Sequence, residues 1–575
     1  MGVYWVDNKV LAGILLGSVL VLAVAGVLVF NPFNPNTSAV NNDMVTVNQT
    51  ENTNTTTNNS ILPSQFSTII AIFSSSSQVS PIAPTPTPYA PPAPSYLGTV
   101  LAKFDIYVEK FFSENLIPAS AIVIIKDGRI VYQKCLGVKE YGTRDAVNED
   151  TLFQIGSCSK AFTSANIAQL VDLGIMRWND TVRSYFTPEE FQLYNTTISD
   201  EITIRDLLCH CSGLPASSGD LLWMYFNYTY PDILYRVRYL ENNTAFRSTF
   251  QYHNIMYCLA GECAYRAAKN ASLGYSSWQE MIKEMIFKPI RMNSATADFN
   301  EFSNSSNRVH TYVNINGTIT EWGPLNVEEI KGAGSIAFSI SDMAKWLELQ
   351  LANGNFNGLQ VVASEELIIT KTPQIQMDST NWYGFGWAIT SNGIITHSGN
   401  VPPSKTLISL DPANNLGFAV VSNEDTYGIA FNKALYLLFN SLYQTGQVNE
   451  TIWAELRDSA SEAAKDTTGK LPDPPVPPEP AKSLSTYVGI YANTFYGNVN
   501  VTSRAGKLIL FMGNSTEPAN LEHWNGDVFK IVDNPFSRNT AVNFTAINSS
   551  GIAQQVKVDY LETGYGVNGT FNRTS

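Results

Sequence analysis

Two stretches of this chain lack the composition to build a core, and they bound what the rest can become. Residues 31–97 carry only two charges, Asp43 and Glu51, among runs such as NQTENTNTTTNNS and PIAPTPTPYAPPAP. So little apolar surface does not offset the entropy of ordering, and the segment reads as a disordered Asn/Thr/Ser/Pro-rich stalk. The second break, LPDPPVPPEPAK at 471–482, marks a stiff Pro-rich linker, taken as 447–483. Between the breaks lies one block, 98–446, longer than a single core usually grows and suited to an α/β domain with a helical region. Residues 484–575 form a second, smaller unit.

Upstream of the stalk, Val10 to Phe30 holds no charge. A membrane span takes about 20 apolar residues, while a signal-peptide core is about 7–15. The length favours an uncleaved anchor. Residues 1–9 are then a short cytoplasmic tail and 10–30 a transmembrane helix, with the remainder extracellular or luminal, or secreted if the segment is cleaved. About eighteen Asn-x-Ser/Thr triplets follow the span, among them Asn36, Asn195, Asn227, Asn316, Asn500 and Asn568, a density that suits a glycoprotein facing the secretory lumen. The formal net charge is −14, without a basic stripe, which argues against a nucleic-acid partner and leaves the N-terminal helix as the membrane contact. Cys258 and Cys263 are five apart on an expected helix and point about 140° away from each other, so they do not bridge easily. Pairing between Cys209 or Cys211 and Cys258 or Cys263 stays open, as does the oligomeric state.

Within 98–446 an opening helix precedes AIVIIKDGRIVYQK, two β-rich runs around Asp127-Gly128 that predict a hairpin. A helix is expected from Ser157 to about Gly174, and SISDMAKWLELQLANG reads as a helix capped at Ser339. Strand patterns return at 383–423, and a last helix covers about 426–444. Strands at both ends of a helical middle predict one antiparallel sheet with helices on its faces. After the linker, NVNVTS, KLILFM, VFKIV, AVNFTAI and QQVKVDY alternate like the strands of a small all-β barrel or sandwich.

Three short motifs carry chemistry. Ser157 and Lys160 in GSCSKAF are three apart, so a helix would put the amine beside the hydroxyl, and a lysine neutralised by burial can act as base to a serine nucleophile. Tyr252 and Asn254 follow in YHN: a phenol can relay a proton, and an amide can hold the lysine and a substrate carbonyl. His397 and Gly399 in THSGN lie on an expected strand, where the histidine offers a positive or polar edge and the glycine lets a substrate approach the backbone. The Cys209-His210-Cys211 triplet lacks a second Cys/His pair at finger spacing, so no metal is assigned, and His210 reads as structural.

Ser-x-x-Lys, Tyr-x-Asn and His-x-Gly in this order resemble the serine β-lactamase and penicillin-binding-protein superfamily, in its class C β-lactamase-like (CubicO-type) branch. TLFQIGSCSKAFTS, TIRDLLCHCSGLP, GAGSIAFSISDMAKWL and YGFGW strengthen the likeness, which spans roughly 98–445. It implies an α/β (α+β) transpeptidase-like fold and a serine hydrolase acting through an acyl-enzyme on a small peptide, amide or ester substrate, without a cofactor. It implies Ser157 as nucleophile, Lys160 as base, Tyr252 as proton relay and Asn254, His397 and Gly399 as orienting groups. Backbone N–H groups of Ser157 and Asn400 would form the oxyanion hole. Histidine in place of lysine at 397 goes with esterases and peptidases more often than with penicillin-destroying enzymes. The C-terminal block, with LSTYVGIYANTFYGNVNV and LEHWNGDVF, resembles the lipocalin-like barrel appended to some of these hydrolases. The alternative reading is a catalytically quiet ectodomain used for adhesion or matrix binding.

Overall fold

The structure, a computed structural model, describes residues 96–315, 317–466, 471, 473–533, 540–562 and 567–574. The anchor at 10–30 and nearly all of the stalk at 31–97 lie outside the described residues. Among those described, no helix is long and apolar enough to cross a membrane.

The N-terminal helix α1 (Tyr96–Phe112) is followed by the hairpin β1 (Ala119–Lys126) and β2 (Arg129–Gly137). Its turn places Asp127 and Gly128 at φ 53° and 70°, left-handed values that Asp tolerates and Gly favours. Next come α2 (Ser159–Asp172), α3 (Ile204–Leu208), α4 (Asp220–Met224), α5 (Tyr230–Arg236), α6 (Asn254–Asn270) and α7 (Ile340–Leu351). The strands then return as β3 (Ile375–Gln376), β4 (Asn381–Tyr383), β5 (Ala388–Thr390), β6 (Ile395–Val401), β7 (Ser404–Asp411) and β8 (Leu416–Ser422), before α8 (Gly428–Thr445) and α9 (Ile452–Asp466). All eight strands join one antiparallel sheet in the order β2-β1-β8-β7-β6-β5-β4-β3, so the two sequence ends meet at the β1–β8 pairing.

Both faces of this sheet are covered, which is why β1 reads as a nearly continuous apolar run. Ile122 and Ile124 face one way, against Phe104 and Val108 of α1 and Phe431 and Leu435 of α8. Ala121, Val123 and Ile125 face the other way, into the larger core with Phe162 of α2 and Trp346 of α7. Phe162 and Trp346 stack at 3.6 Å. Every residue of α2 from Ser159 to Leu170 is buried, so it is the central helix of the domain, and its polar side chains need internal partners.

The span 447–483 is not linker throughout. Its first part forms α9, whose Trp453 is 2 % exposed and packs on Phe111 and Phe431 at ring separations of 6.0 and 5.7 Å. Ile452, Leu456 and Ala460 pack on the same core beside Trp453, so a narrow apolar face holds this helix to the domain, and the Pro-rich stretch begins after it.

The C-terminal unit is a closed barrel of eight antiparallel strands: β9 (Gly489–Asn493), β10 (Gly497–Arg504), β11 (Lys507–Met512), β12 (Ala519–Asn525), β13 (Val528–Ile531), β14 (Ala541–Ile547), β15 (Ala553–Val558) and β16 (Thr570–Arg573). Closure comes from the β9–β16 pairing, Tyr491 opposite Arg573, and leaves no free edge. This architecture agrees with the expected lipocalin-like barrel. The barrel packs on the α4–α5 region: Tyr228 donates to the Tyr496 carbonyl at 2.9 Å, Arg236 to the Phe495 carbonyl at 2.8 Å, and Phe226 stacks on Tyr496 at 5.3 Å.

All six cysteines are free. Cys258 and Cys263 share α6 as the spacing predicts, and Cys209 and Cys211 approach with sulfurs 3.1 Å apart, unbonded.

Candidate functional site

Ser157 sits in a single 3-10 turn, Gly156–Cys158, that runs directly into α2. Two glycines bring this turn against strand β6. Gly156 is at φ +53°, and a Cβ there would lie 2.7 Å from the Asn400 nitrogen. A Cβ at Gly399 would lie 1.8 Å from the Ile155 carbonyl oxygen. Gly399 therefore serves the close approach of the Ser157 segment; the space on its α-carbon is filled by Ile155, not offered to a ligand, which corrects the sequence expectation for that residue. A third contact fixes α2 from the far side: a Cβ at Gly386, in the YGFGW loop, would meet the Ala161 nitrogen at 2.7 Å.

Lys160 follows one helical turn after Ser157 and is completely buried, while Ser157 stays partly exposed. Its Nζ lies 3.1 Å from Ser157 Oγ and donates to Asn254 Oδ1 at 2.7 Å and to the Ala333 carbonyl at 3.0 Å. Two of its three tetrahedral directions thus point at pure acceptors, and the third points at the serine hydroxyl. Burial is the main influence on this amine and lowers its pKa from 10.5 to about 7, opposed by the negative charge of Asp220. The rings of Tyr252 and Tyr257 lie 4.7 and 5.4 Å from the nitrogen and favour the cation weakly.

Tyr252 and Asn254 come from the loop entering α6, with Asn254 at the first helical position. The Tyr252 hydroxyl is buried without a well-formed hydrogen bond, and Ser157 is the side chain that acts on it as a hydrogen-bonding neighbour. Burial dominates and raises its pKa well above that of a free phenol. Asn254 donates through Nδ2 to Asp220 Oδ2 at 2.8 Å, and burial raises the Asp220 carboxyl to about 6.

Of the positive or polar edge expected of it, His397 keeps the polar form. Its Nδ1 donates to the Ser398 carbonyl at 2.6 Å, so Nε2 accepts from the Tyr383 hydroxyl at 2.9 Å. Burial, with the nearby Lys160, lowers its pKa to about 3. The imidazole is neutral and both nitrogens are committed, so it supplies polarity without positive charge. His210 is likewise buried; it accepts the His253 N–H through Nδ1 at 3.1 Å and packs on Tyr252, Tyr257 and Tyr383 at ring separations of 4.4–4.9 Å. Among the described residues no cluster of His, Cys, Asp and Glu has metal-binding geometry.

Ser157, Lys160, Tyr252, Asn254, His397 and the backbone of Asn400 thus converge from α2, the α6 entry and β6. Sequence reasoning missed Asp220 and Tyr383. Tyr383 stands inside the quoted YGFGW segment, whereas Asp220 ends a polar loop, PASSGD, whose only clue is spatial.

The sequence profile of the family described as Beta-lactamase matches residues 104–439, and that of a domain of unknown function, DUF3471, matches residues 473–570. Unguisins hydrolase ungD' of Aspergillus campestris (strain IBT 28561) is 26% identical over 440 residues, covering 70% of this chain and 78% of that protein. Protein flp of Staphylococcus aureus (strain MW2) is 24% identical over 325 residues, 56% of this chain and 62% of flp, so this chain spans less than two thirds of flp's length. Among solved structures, the octameric penicillin-binding protein homologue from Pyrococcus abyssi superposes with a TM-score of 0.52 at 21% identity, covering 80% of this chain and 98% of that one; the likeness is one of fold.

Proposed function

This chain belongs to the beta-lactamase family of serine hydrolases, and we propose that it cleaves peptide, amide or ester bonds through an acyl-enzyme on Ser157. The observation that carries this reading is the position of Lys160 Nζ, buried and 3.1 Å from Ser157 Oγ. With its pKa at about 7 the amine is deprotonated in a substantial fraction of molecules at neutral pH, and in that form its N–H groups lie on Asn254 and Ala333 and its lone pair faces the hydroxyl.

In the first step the Ser157 O–H gives its proton to Lys160 as Oγ attacks the substrate carbonyl carbon. The ammonium so formed is stabilised by Asn254 Oδ1, the Ala333 carbonyl and the Asp220 charge. Negative charge gathers on the carbonyl oxygen, where the N–H groups of Ser157 and Asn400 would receive it; one such donor is worth about 3–4 kcal/mol. Tyr252, which stays protonated, delivers its proton to the leaving amine or alcohol and recovers one from Lys160 by way of the Ser157 oxygen, which neighbours both. Water then enters by the same relay run in reverse and releases the acid.

The neutral, doubly bonded His397 offers no cation to a penicillin-type carboxylate, which supports peptides and esters over β-lactams as substrates. The uncharged run at 10–30 and the sequon density support a membrane-anchored, outward-facing protein. The test is covalent labelling of the full chain with a fluorophosphonate and with a fluorescent penicillin, wild type against Ser157→Ala, beside a panel of esters and D-peptides. A Ser157-dependent adduct and hydrolysis are expected. No serine-dependent adduct and no turnover would overturn the proposal.

A further inference from the structure

Residues 217–220 run beside Tyr252–Asn254 and are tied to them at three places. The Ser217 N–H donates to the Tyr252 carbonyl at 2.7 Å, Ser218 Oγ lies 3.1 Å from His253 Nε2, and Asp220 Oδ2 accepts from Asn254 Nδ2 at 2.8 Å. The loop turns through two left-handed residues to do so: Ser217 at φ +57°, which is unfavourable for serine, and Gly219 at φ +90°, which glycine adopts freely. At φ +90° Gly219 takes a backbone conformation that L side chains rarely adopt, and its α-carbon faces Ile255, the residue after Asn254.

This arrangement determines which way round the Asn254 amide sits. A primary amide has a donating end and an accepting end, and flipping exchanges them. An ionised carboxylate only accepts, so with Asp220 on one side the NH2 must face it, and Oδ1 must face Lys160, where it is found at 2.7 Å. Without Asp220 the amide is free to present donors to the donors of Lys160.

We infer that Asp220 is a positioning residue for hydrolysis: it orients the Asn254 amide oxygen toward Lys160 and sets a negative charge behind that base. The inference rests on the reading of Lys160 as the base for Ser157. The groups facing Lys160 are Asp220 from α4, Cys158 and Ser157 from its own turn, Cys258 from α6, the phenols of Tyr252 and Tyr257, and the imidazoles of His210 and His397. Asp220 is faced in turn by Asn254, by the Trp223 indole nitrogen at 3.5 Å, by Tyr252 and by Lys160. Of these, Asp220 is the largest influence holding the Lys160 ammonium against burial. Removing its charge lets the Lys160 pKa fall further, and the acid limb of the rate moves to lower pH.

The test is the rate of Ser157 labelling by a fluorophosphonate, followed from about pH 5 to about pH 9, for the wild-type chain and for Asp220→Asn, Asp220→Ala and Asp220→Glu. Asp220→Asn keeps an acceptor for Asn254 and loses the charge; its limb should shift acidward by about half a pH unit or more, with the plateau rate within about fivefold of wild type. Asp220→Ala loses both, and should combine that shift with a plateau at least about tenfold lower. Asp220→Glu keeps the charge and misplaces it, so its limb should stay while its plateau falls. Equal limbs and plateaus in all four proteins, each checked by its circular-dichroism melt, overturn the inference. Labelling that no longer depends on Ser157 or Lys160 would instead overturn the base assignment.

Discussion

Lys160→Met should make the protein's stability respond differently to pH as it abolishes activity. The Lys160 amine titrates at 10.5 when unfolded and at about 7 in the buried site. Between those values the unfolded chain binds a proton that the folded one does not, so the stability contributed by this group rises with pH across the window. The sign is opposite to that of a salt-bridged lysine: the burial penalty is fully present below about pH 7 and gone above 10.5. The whole span corresponds to about 5 kcal/mol, of which about 2 kcal/mol falls between pH 7 and pH 9. Methionine of similar length removes the titration, but leaves Asn254 Oδ1 and the Ala333 carbonyl without their donor, at about 1–3 kcal/mol each. Net stability at pH 7 should thus change little, while the wild-type-minus-variant difference climbs by about 2 kcal/mol from pH 7 to pH 9. Urea unfolding of both proteins at several pH values measures it; groups remote from Lys160 cancel in the difference, and Asp220, which feels the Lys160 charge, adds its own change near its titration at about 6. A difference that stays flat over this range would show that Lys160 is not neutralised there, and the case for it as the base would fall.

Tyr252→Phe should leave labelling of Ser157 by a fluorophosphonate measurable while lowering turnover of an amide by about 10²–10⁴-fold, because only the amide leaving group needs the phenol proton; equal losses on both would place Tyr252 elsewhere in the reaction. Gly399→Ala should cost about 3 kcal/mol or more, since its Cβ would overlap the Ile155 carbonyl at 1.8 Å, and thermal melts together with loss of labelling report it. A thiol reagent should modify at most Cys135 in the native protein and all six cysteines after denaturation without reductant, because the other five are buried and free; fewer than six in the denatured chain would reveal a disulfide.

The readable parts of the sequence were those whose physics is local. Asp127-Gly128 announces its hairpin through backbone conformation alone, and Ser339 caps its helix by accepting from the Asp342 N–H at 3.2 Å, three residues away. The helix Ile452–Asp466 is harder to see because its apolar face, Ile452, Trp453, Leu456 and Ala460, is narrow and set among charged residues beside a Pro-rich stretch. Barrel strands Gly489–Asn493, Ala519–Asn525 and Thr570–Arg573 were obscured in the same way, with wet outward faces and few buried residues each. In the site, motif residues were visible because they recur in a fixed order, but their partners were not. Asp220 reaches Asn254 across 34 residues, and nothing in PASSGD marks it as other than a turn. Gly399 is legible as a glycine of close approach, but a glycine in a strand does not say what approaches it, and here it is the Ile155 carbonyl.

One physical cause assigns the two proton-handling groups beside Ser157. Burial disfavours whichever form is charged, so it acts in opposite directions on an amine and a phenol. Lys160 is brought down to about 7 and can accept a proton, while Tyr252 is pushed up and keeps its own. Had the site been wet, the amine would be an ammonium near neutral pH, with its lone pair lost to the serine. The same burial holds His397 neutral, so its nitrogens can bind Tyr383 and Ser398 without adding a cation that would depress Lys160 further. Asp220 is the counterweight: its charge stops the amine falling so far that it becomes too weak a base to take the serine proton. In the proposed mechanism, burial around α2 thus sets the direction of proton flow, from Ser157 to Lys160 and through Tyr252 to the leaving group.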